Sequence, residues 1–301
     1  MHIYQELVNK AKDICHDQTI ILVFLNNRYF PIFEIWYNFF KKYKKENLLV
    51  ISLDKICSKN LKNYSIIYHE LPIKLISKRT KKCTLRVPII KSLIEEGINV
   101  IHSDSDAFWL TDISEYFDNC ECDLSISIAY SRPQFAVNQW GFSMCCGLYH
   151  MRSTNGMRSL LTDYVKECEK ENSDQIPLNR LLYQSNVHWL KQSCIENRGR
   201  VSKYGITIDV ISDNLVSRKT KQGLSVWHPC LLSEHIPFKL IQALEGLEKI
   251  TDYQERTLNN FQRAISPLYY SFYDLKKNIK FNWMKLKSEQ SFEVEAYTSR
   301  Q

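Results

Sequence analysis

The sequence predicts an α/β domain built on a mixed, mainly parallel sheet flanked by helices. Three observations carry that expectation. Short apolar runs rich in branched residues alternate with stretches whose apolar residues recur at helical spacing. The order strand, helix, strand, helix, strand fits right-handed crossovers between parallel neighbours. Polar residues capable of binding chemistry, Asn26, Asn27, Asp54 and Asp104, each stand directly after an apolar run. In such sheets the ligand crevice lies beyond the carboxyl ends of the strands.

The elements follow in order. Thr19–Leu25 reads as a buried strand that stops at Asn26-Asn27. Residues 30–45 have helical spacing and end in Lys41, Lys42, Lys44 and Lys45, which suit a helix C-terminus. Strands are expected at 48–53 and 65–69, and a helix over 78–96 closed by Gly97. A strand over 98–102 leads into Asp104-Ser105-Asp106. Further strands are expected at 123–128, 142–151, 206–211 and 224–227. Helices are expected at 154–170 with Thr154 as N-cap, at 174–184 and at 237–259. Residues 1–260 then form one domain, and 261–301 a basic-aromatic tail.

Size and charge limit the function classes. A chain of 301 residues can bury a sizeable core. The formal charge of +7, from 40 basic and 33 acidic side chains, suits a diphosphate-like ligand or an anionic surface. The basic residues form no nucleic-acid-binding motif, so no nucleic-acid partner is expected. The first residues carry Glu6, Lys10, Lys12 and Asp13 and no apolar run, and no stretch is long enough to span a bilayer, so the expected location is cytoplasmic. The ten cysteines lack paired CxxC spacing, so they read as reduced, mostly buried side chains rather than zinc ligands.

The chemistry centres on Val100 to Leu110. Asp104 and Asp106 are two residues apart after an apolar strand, and in an extended stretch they point the same way. Two hard carboxylates could then share one Mn²⁺ or Mg²⁺. The bland reading is a polar turn, but turns rarely continue as Phe108-Trp109-Leu110. His228, after a short strand and before Pro229, could complete a metal shell through a neutral imidazole. Asn26 and Asn27 could contact a nucleobase or ribose, or simply form a turn. Asp174 is a candidate carboxylate for a ligand, or the N-cap of the helix that follows. Gly147 could admit a ligand close to the backbone or mark a bulge. Cys146 reads as packing rather than as a nucleophile.

The segment Gly97 to Asp112 resembles the signature of the nucleotide-diphospho-sugar transferase family, which includes the plant arabinosyl- and xylosyltransferases of glycosyltransferase family 77. Ile113 stands where that family usually has Pro. Residues 20–29, 49–54 and 143–153, Asp174-Gln175 with Asn179, and Trp227-His228-Pro229 resemble its other segments in order. The resemblance implies a GT-A fold, a nucleotide-sugar donor (a UDP-sugar favoured) and retention at the anomeric carbon. It implies Mn²⁺ or Mg²⁺ on Asp104, Asp106 and His228, and places Ser105 with them on the donor side. It puts Cys146 and Gly147 on the strand beside the donor sugar, and Asp174 and Gln175 in the reaction. A base from the helix before the metal strand usually meets the diphosphate in that fold. Of the face Arg79, Lys82, Arg86, the first two are favoured. Acceptors consistent with this class are a glycan, a lipid-linked sugar or a protein. The tail aromatics, Tyr269 to Trp283, interleaved with lysines, suit peripheral membrane contact.

Two rivals have other signatures. A haloacid-dehalogenase-type phosphatase also uses Asp-x-Asp after a strand, with the first Asp as nucleophile. It wants a small polar residue where this chain has Phe108, on a strand that normally comes first. A catalytically inactive nucleotide-sugar-binding scaffold could share the fold. Asp104, Asp106 and His228 together weigh against it.

Overall fold

The computed structural model describes residues 4–71, 82–171, 173–190, 197–229, 231 and 236–251. Helix α1 (Gln5–Ile14) precedes β1 (Thr19–Leu25), α2 (Phe30–Phe40), β2 (Leu48–Ser52), α3 (Lys55–Lys62) and β3 (Tyr68–Glu70). Then come α4 (Lys82–Glu95), β4 (Asn99–Ser103), β5 (Phe108–Trp109), α5 (Ser114–Asp118), β6 (Leu124–Ala129), α6 (Gln134–Trp140) and β7 (Ser143–Met151). The rest is α7 (Asn155–Lys170), α8 (Gln175–Gln184), β8 (His188–Trp189), β9 (Asn197–Val201), β10 (Ile206–Val210), β11 (Val216–Ser217), β12 (Val226–Trp227) and α9 (Ile236–Ile250).

Nine strands form one sheet in the order β3-β2-β1-β4-β7-β6-β10-β9-β8. The run β3-β2-β1-β4 is parallel, as the crossover pattern predicts. Beyond it β7 lies antiparallel to both β4 and β6, β10 is parallel to β6, and β9 and β8 are antiparallel. The sheet is mixed, as expected, but its parallel run stops at β4, which corrects the expectation that it is mainly parallel. β6 and β7 are joined through α6 with no crossover, and they pair as neighbours running in opposite directions. This mixed α/β architecture is consistent with a GT-A-like fold.

β1 and β2 are buried on both faces apart from Phe24, as central strands should be. Thr154 caps α7 by accepting a hydrogen bond from Met157 N–H, as its position predicts. Gly97 takes φ +86° after α4, a left-handed closure that a side chain would resist. The expected helix over 30–45 is shorter: it tightens to a 3₁₀ turn at Lys41–Tyr43, and Lys44 is left-handed at φ 52°. The expected third strand starts later because Ser65 sits in a turn at φ 54°. Cys15, Cys57, Cys120, Cys122, Cys145, Cys146 and Cys168 are free, and all but Cys15 are buried. No helix among the described residues is long and apolar enough to cross a membrane. The tail over 261–301 lies outside the described residues.

The aromatic segment after Asp106 is an anchor. Trp109 is fully buried and meets Trp36 and Phe40 of α2 edge-on, at ring separations of 6.3 and 5.4 Å. Its indole N–H donates to Ser103 Oγ at 3.2 Å, and Tyr43 hydroxyl donates to its carbonyl at 3.2 Å. Burying such rings stabilises by about 1.5–3 kcal/mol each. Together these contacts fix both ends of the loop that carries the two aspartates.

A three-stranded sheet, β11-β12-β5, supplies the remaining element of the site. Trp227 pairs with Phe108 and Val226 with Trp109, antiparallel. The next residue along, His228, is thereby delivered beside the loop at 104–107.

Candidate metal and donor site

β1, β2 and β4 run parallel, so Asn26, Asp54 and Asp104 leave the sheet at the same edge. Asp104 N–H donates to Gly147 carbonyl at 2.7 Å, extending the β4–β7 ladder by one rung. The chain then turns: Ala107 N–H donates back to Asp104 carbonyl at 3.0 Å. The extended geometry expected for Asp104-Ser105-Asp106 is thus replaced by a tight turn, and Ser105 is buried within it. The two carboxylates still converge.

Asp104, Asp106 and His228 each offer a ligand atom, and these atoms all lie within 4.8 Å of one another. His228 Nε2 is 3.5 Å from Asp106 Oδ1. The side chain of Asp104 is 35% exposed and that of Asp106 18%, against 7% for His228, so a ligand can reach the carboxylates from solvent. Two hard carboxylates and one imidazole suit Mn²⁺ or Mg²⁺, though other divalent ions accept the same set.

Arg86 organises the interior side of this site. Its Nη1 donates to Asp104 Oδ1 at 2.7 Å and to Cys146 carbonyl at 3.3 Å. Its Nε forms a tight ion pair with Asp174 Oδ2. The same Nη1 lies 2.6 Å from His102 Nε2, while His102 Nδ1 lies 3.2 Å from Leu22 carbonyl. Arginine only donates and a carbonyl only accepts, so His102 is neutral with its proton on Nδ1. Burial first, then the guanidinium, lowers the imidazole's affinity for a second proton. Burial alone would raise the Asp104 carboxyl, but the Arg86 guanidinium outweighs it and holds it well below the usual carboxylate range. Burial pushes the Asp174 carboxyl up, against the pull of Arg86. Asp104 and Asp106 keep their carboxylates partly open to solvent, a hard-oxygen pair that fits a divalent cation.

His228 has a second layer. Its Nδ1 is 3.8 Å from Cys145 Sγ, and Arg218 Nη2 donates to the same sulfur at 2.8 Å. Burial opposes the imidazolium, yet Cys145 and Asp106 more than offset it and raise the ring's affinity for protons. Burial likewise opposes the Cys145 thiolate, and His228 and Arg218 outweigh it. Cys146, by contrast, is pushed up by burial, and its Sγ lies 3.6 Å from Tyr164 hydroxyl, in keeping with a packing role.

Gly147 takes the bulge reading of the sequence. The β6–β7 register slips between Ile126 and Ser127, which face Tyr149 and Cys145, so Gly147 sits in a bulge. A Cβ there would lie 2.0 Å from His228 Cε1. The close approach is made by the histidine of this chain itself.

The other expected residues fall as follows. Asn26 accepts from Tyr29 N–H at 3.0 Å, the turn-forming geometry, and Asn27 N–H donates to Asp54 Oδ2 at 2.8 Å. Asp174 stands at the start of α8 with no side-chain cap bond; its carboxylate goes to Arg86 instead. Gln175 donates to Arg132 carbonyl at 2.7 Å. Asn179 is fully buried and bonds both the N–H and the carbonyl of Met144, each at 2.9 Å, which fastens α8 to β7. Arg79 lies outside the described residues, as does the side chain of Lys82. Arg86, the third member of that basic face, is the one seen against Asp104. Arg218 and Cys145 were not anticipated; no spacing in the sequence links them to His228. A separate cleft of about 1100 Å³, lined by Thr19, Leu48, Lys44 and Asp17 among others, opens at the opposite strand ends and is not part of this site.

Comparison with curated proteins finds no significant match. Among solved structures, the galactosyltransferase LgtC in complex with donor and acceptor sugar analogs is similar at 11% identity and TM-score 0.45, covering 80% of this chain and 99% of that one. The glycosyltransferase GlyE of Streptococcus pneumoniae TIGR4 is similar at 15% identity and TM-score 0.40, and the likeness spans 54% of this chain but only 42% of GlyE. The bifunctional WbbM is similar at 11% identity and TM-score 0.45, over 86% of this chain and 52% of that chain. Likenesses this distant carry no assignment. The assignment rests on residues 43–232, more than half of the chain, which match a family as a whole: this chain belongs to the nucleotide-diphospho-sugar transferase family.

Proposed function

We propose that the chain moves a sugar from a nucleotide-diphosphate sugar, a UDP-sugar favoured, to an acceptor on a glycan, a lipid-linked sugar or a protein. The observation that carries this reading is the convergence of Asp104, Asp106 and His228 at the carboxyl edge of β1 and β4. A Mn²⁺ or Mg²⁺ bound there would stabilise charge on a departing nucleoside diphosphate.

The chain's own residues prepare that place. Trp109 and Ser103 hold the loop, and Gly147 carbonyl holds Asp104 N–H. Arg86 steadies one carboxylate oxygen of Asp104, and the partly exposed carboxylates face solvent from which a donor can enter. Asn26 and Asn27, at the end of β1, are assigned to the nucleoside. Asp174 is held against Arg86 and acts through it on Asp104. Gln175, half-exposed at the start of α8, is assigned to the sugar. The retaining outcome follows the family resemblance.

A thermal-shift screen of UDP-, GDP- and CMP-sugars, each with and without Mn²⁺, tests the reading. Ligands that bind the native state raise Tm by mass action. A UDP-sugar that stabilises only with Mn²⁺ is expected. No stabilisation by any nucleotide sugar would overturn the proposal.

A further inference from the structure

We propose that Cys145 is the positioning residue that holds His228 with its Nε2 lone pair toward Asp104 and Asp106, with Arg218 fixing the sulfur as a hydrogen-bond acceptor. The inference rests on the cation-site reading above and deepens it.

The small sheet brings these groups together. β11 and β12 are parallel with Ser217 opposite Trp227, and His228 N–H donates to Ser217 carbonyl at 2.9 Å. Arg218 and His228 therefore leave the sheet side by side. Both meet β7 at its bulge, where Cys145 presents sulfur and Gly147 presents no side chain. The ring is wedged: Gly147 leaves it room on one side, and its two nitrogens face different partners.

A ring that ligates a cation must be neutral, and it then has two forms. If the sulfur donated its S–H to Nδ1, the proton would sit on Nε2 and point at the carboxylates. The ring could not then ligate a cation from that side. If the sulfur accepts, the proton sits on Nδ1 and the Nε2 lone pair faces Asp106. Arg218 favours the second form. A guanidinium can only donate, and its Nη2 is 2.8 Å from Sγ, so the sulfur already accepts from that side. The neighbouring positive charge favours an electron-rich sulfur that also accepts from Nδ1. Histidine ligands generally donate their other N–H to such an outer partner, which fixes tautomer and ring orientation. Carboxylates and backbone carbonyls usually fill that role; here a buried cysteine does.

The test uses the full chain and Mn²⁺ alone, with free Mn²⁺ followed by electron paramagnetic resonance. Cys145→Ala removes the acceptor, and Cys145→Ser keeps an oxygen that can accept. Loss of an outer partner typically weakens metal binding about 10–100-fold, and that fall is expected for Cys145→Ala. Cys145→Ser is expected to regain most of the affinity. Equal affinity for wild type and Cys145→Ala would overturn the positioning role and leave the cation site standing. Wild-type protein that takes up no Mn²⁺ would overturn the cation site, and this inference with it. Should Cys145→Ala fail to fold, nitrogen-15 histidine spectra of wild-type protein loaded with Mg²⁺ decide the matter. A proton on Nδ1 of His228 is expected, and a proton on Nε2 would contradict the proposal.

Discussion

Gly147 and His228 occupy neighbouring space so closely that one methyl group would not fit between them. A Cβ on Gly147 would lie 2.0 Å from His228 Cε1 and 2.7 Å from Nε2. Gly147→Ala should therefore expel the ring from its place while sparing the sheet, whose β4–β7 pairing is made by the backbone. The expected result is a loss of Mn²⁺ affinity of about tenfold or more, the scale seen when a ligand's orientation is lost. Isothermal titration with Mn²⁺ and far-UV circular dichroism measure the two halves of this claim. Unchanged affinity would mean that His228 does not ligate from this position.

Trp227 meets α9 in the same way. A Cβ on Gly246 would lie 2.0 Å from Trp227 Cη2. In a helix interior, Gly→Ala normally gains up to about 1 kcal/mol. Here overpacking against a buried, rigid ring should reverse the sign and cost about 1–3 kcal/mol. Denaturant unfolding of Gly246→Ala checks it, and a gain in stability would contradict the packing described.

Arg86 ties Asp104 to Asp174 in a place where both would otherwise be left without a counter-charge. Arg86→Met removes the cation and strands the carboxylates. Removing one partner of a buried ion pair typically costs about 3–5 kcal/mol. Arg86→Lys should fall between, since one ammonium cannot reproduce the fork that reaches two carboxylates and His102. Unfolding curves of the two variants should rank wild type above Lys and Lys above Met.

Asp112 gives a pH signature away from the metal site. Its Oδ1 accepts from Ser114 N–H at 3.0 Å and from Ser114 Oγ at 2.6 Å, and Oδ2 pairs with Lys45 at 2.9 Å. Burial would raise its carboxyl, but Ser114 and Lys45 outweigh burial and lower it from its ordinary 3.8. A lowered folded value means the contribution is complete above the ordinary carboxylate range and is lost as pH falls through that lowered value. Asp112→Asn should cost about 1 kcal/mol at neutral pH. The gap between the two unfolding free energies should close as pH drops below the carboxylate range. A gap that stays constant down to acid pH would show that the charge of Asp112 is not involved.

What could be read in the sequence follows a physical line. β1, β2, β4 and α7 were legible because apolar periodicity and a Thr cap are local signals. The antiparallel placement of β7 was not, since strand direction depends on which neighbours meet in space. Short pieces such as α5 and β11 carry too few residues for a period to show. In the site, Asp104, Asp106 and His228 were legible as residue types after strands. The turn at Ser105-Asp106 and the convergence with His228 depend on the pairing of Trp227 with Phe108, which no local pattern encodes. Asp174 was visible as a carboxylate at a helix start, but its partner Arg86 lies 88 positions away in the chain. Cys145 and Arg218 left no signal because a buried cysteine and an exposed-looking arginine are unremarkable until folded together.

The most direct measurement is the rate of sugar transfer, or of slow donor hydrolysis, by Asp106→Asn protein against wild type, with and without a chelator. The substitution keeps shape and some hydrogen bonding and removes the charge that would hold a cation beside His228. That interaction is made chiefly with the charged transition state, so the rate should fall more than donor affinity. The expected loss is about a thousandfold, or several kcal/mol, and wild-type activity should vanish with chelator and return with Mn²⁺. Folded Asp106→Asn protein with full, chelator-resistant activity would contradict the account.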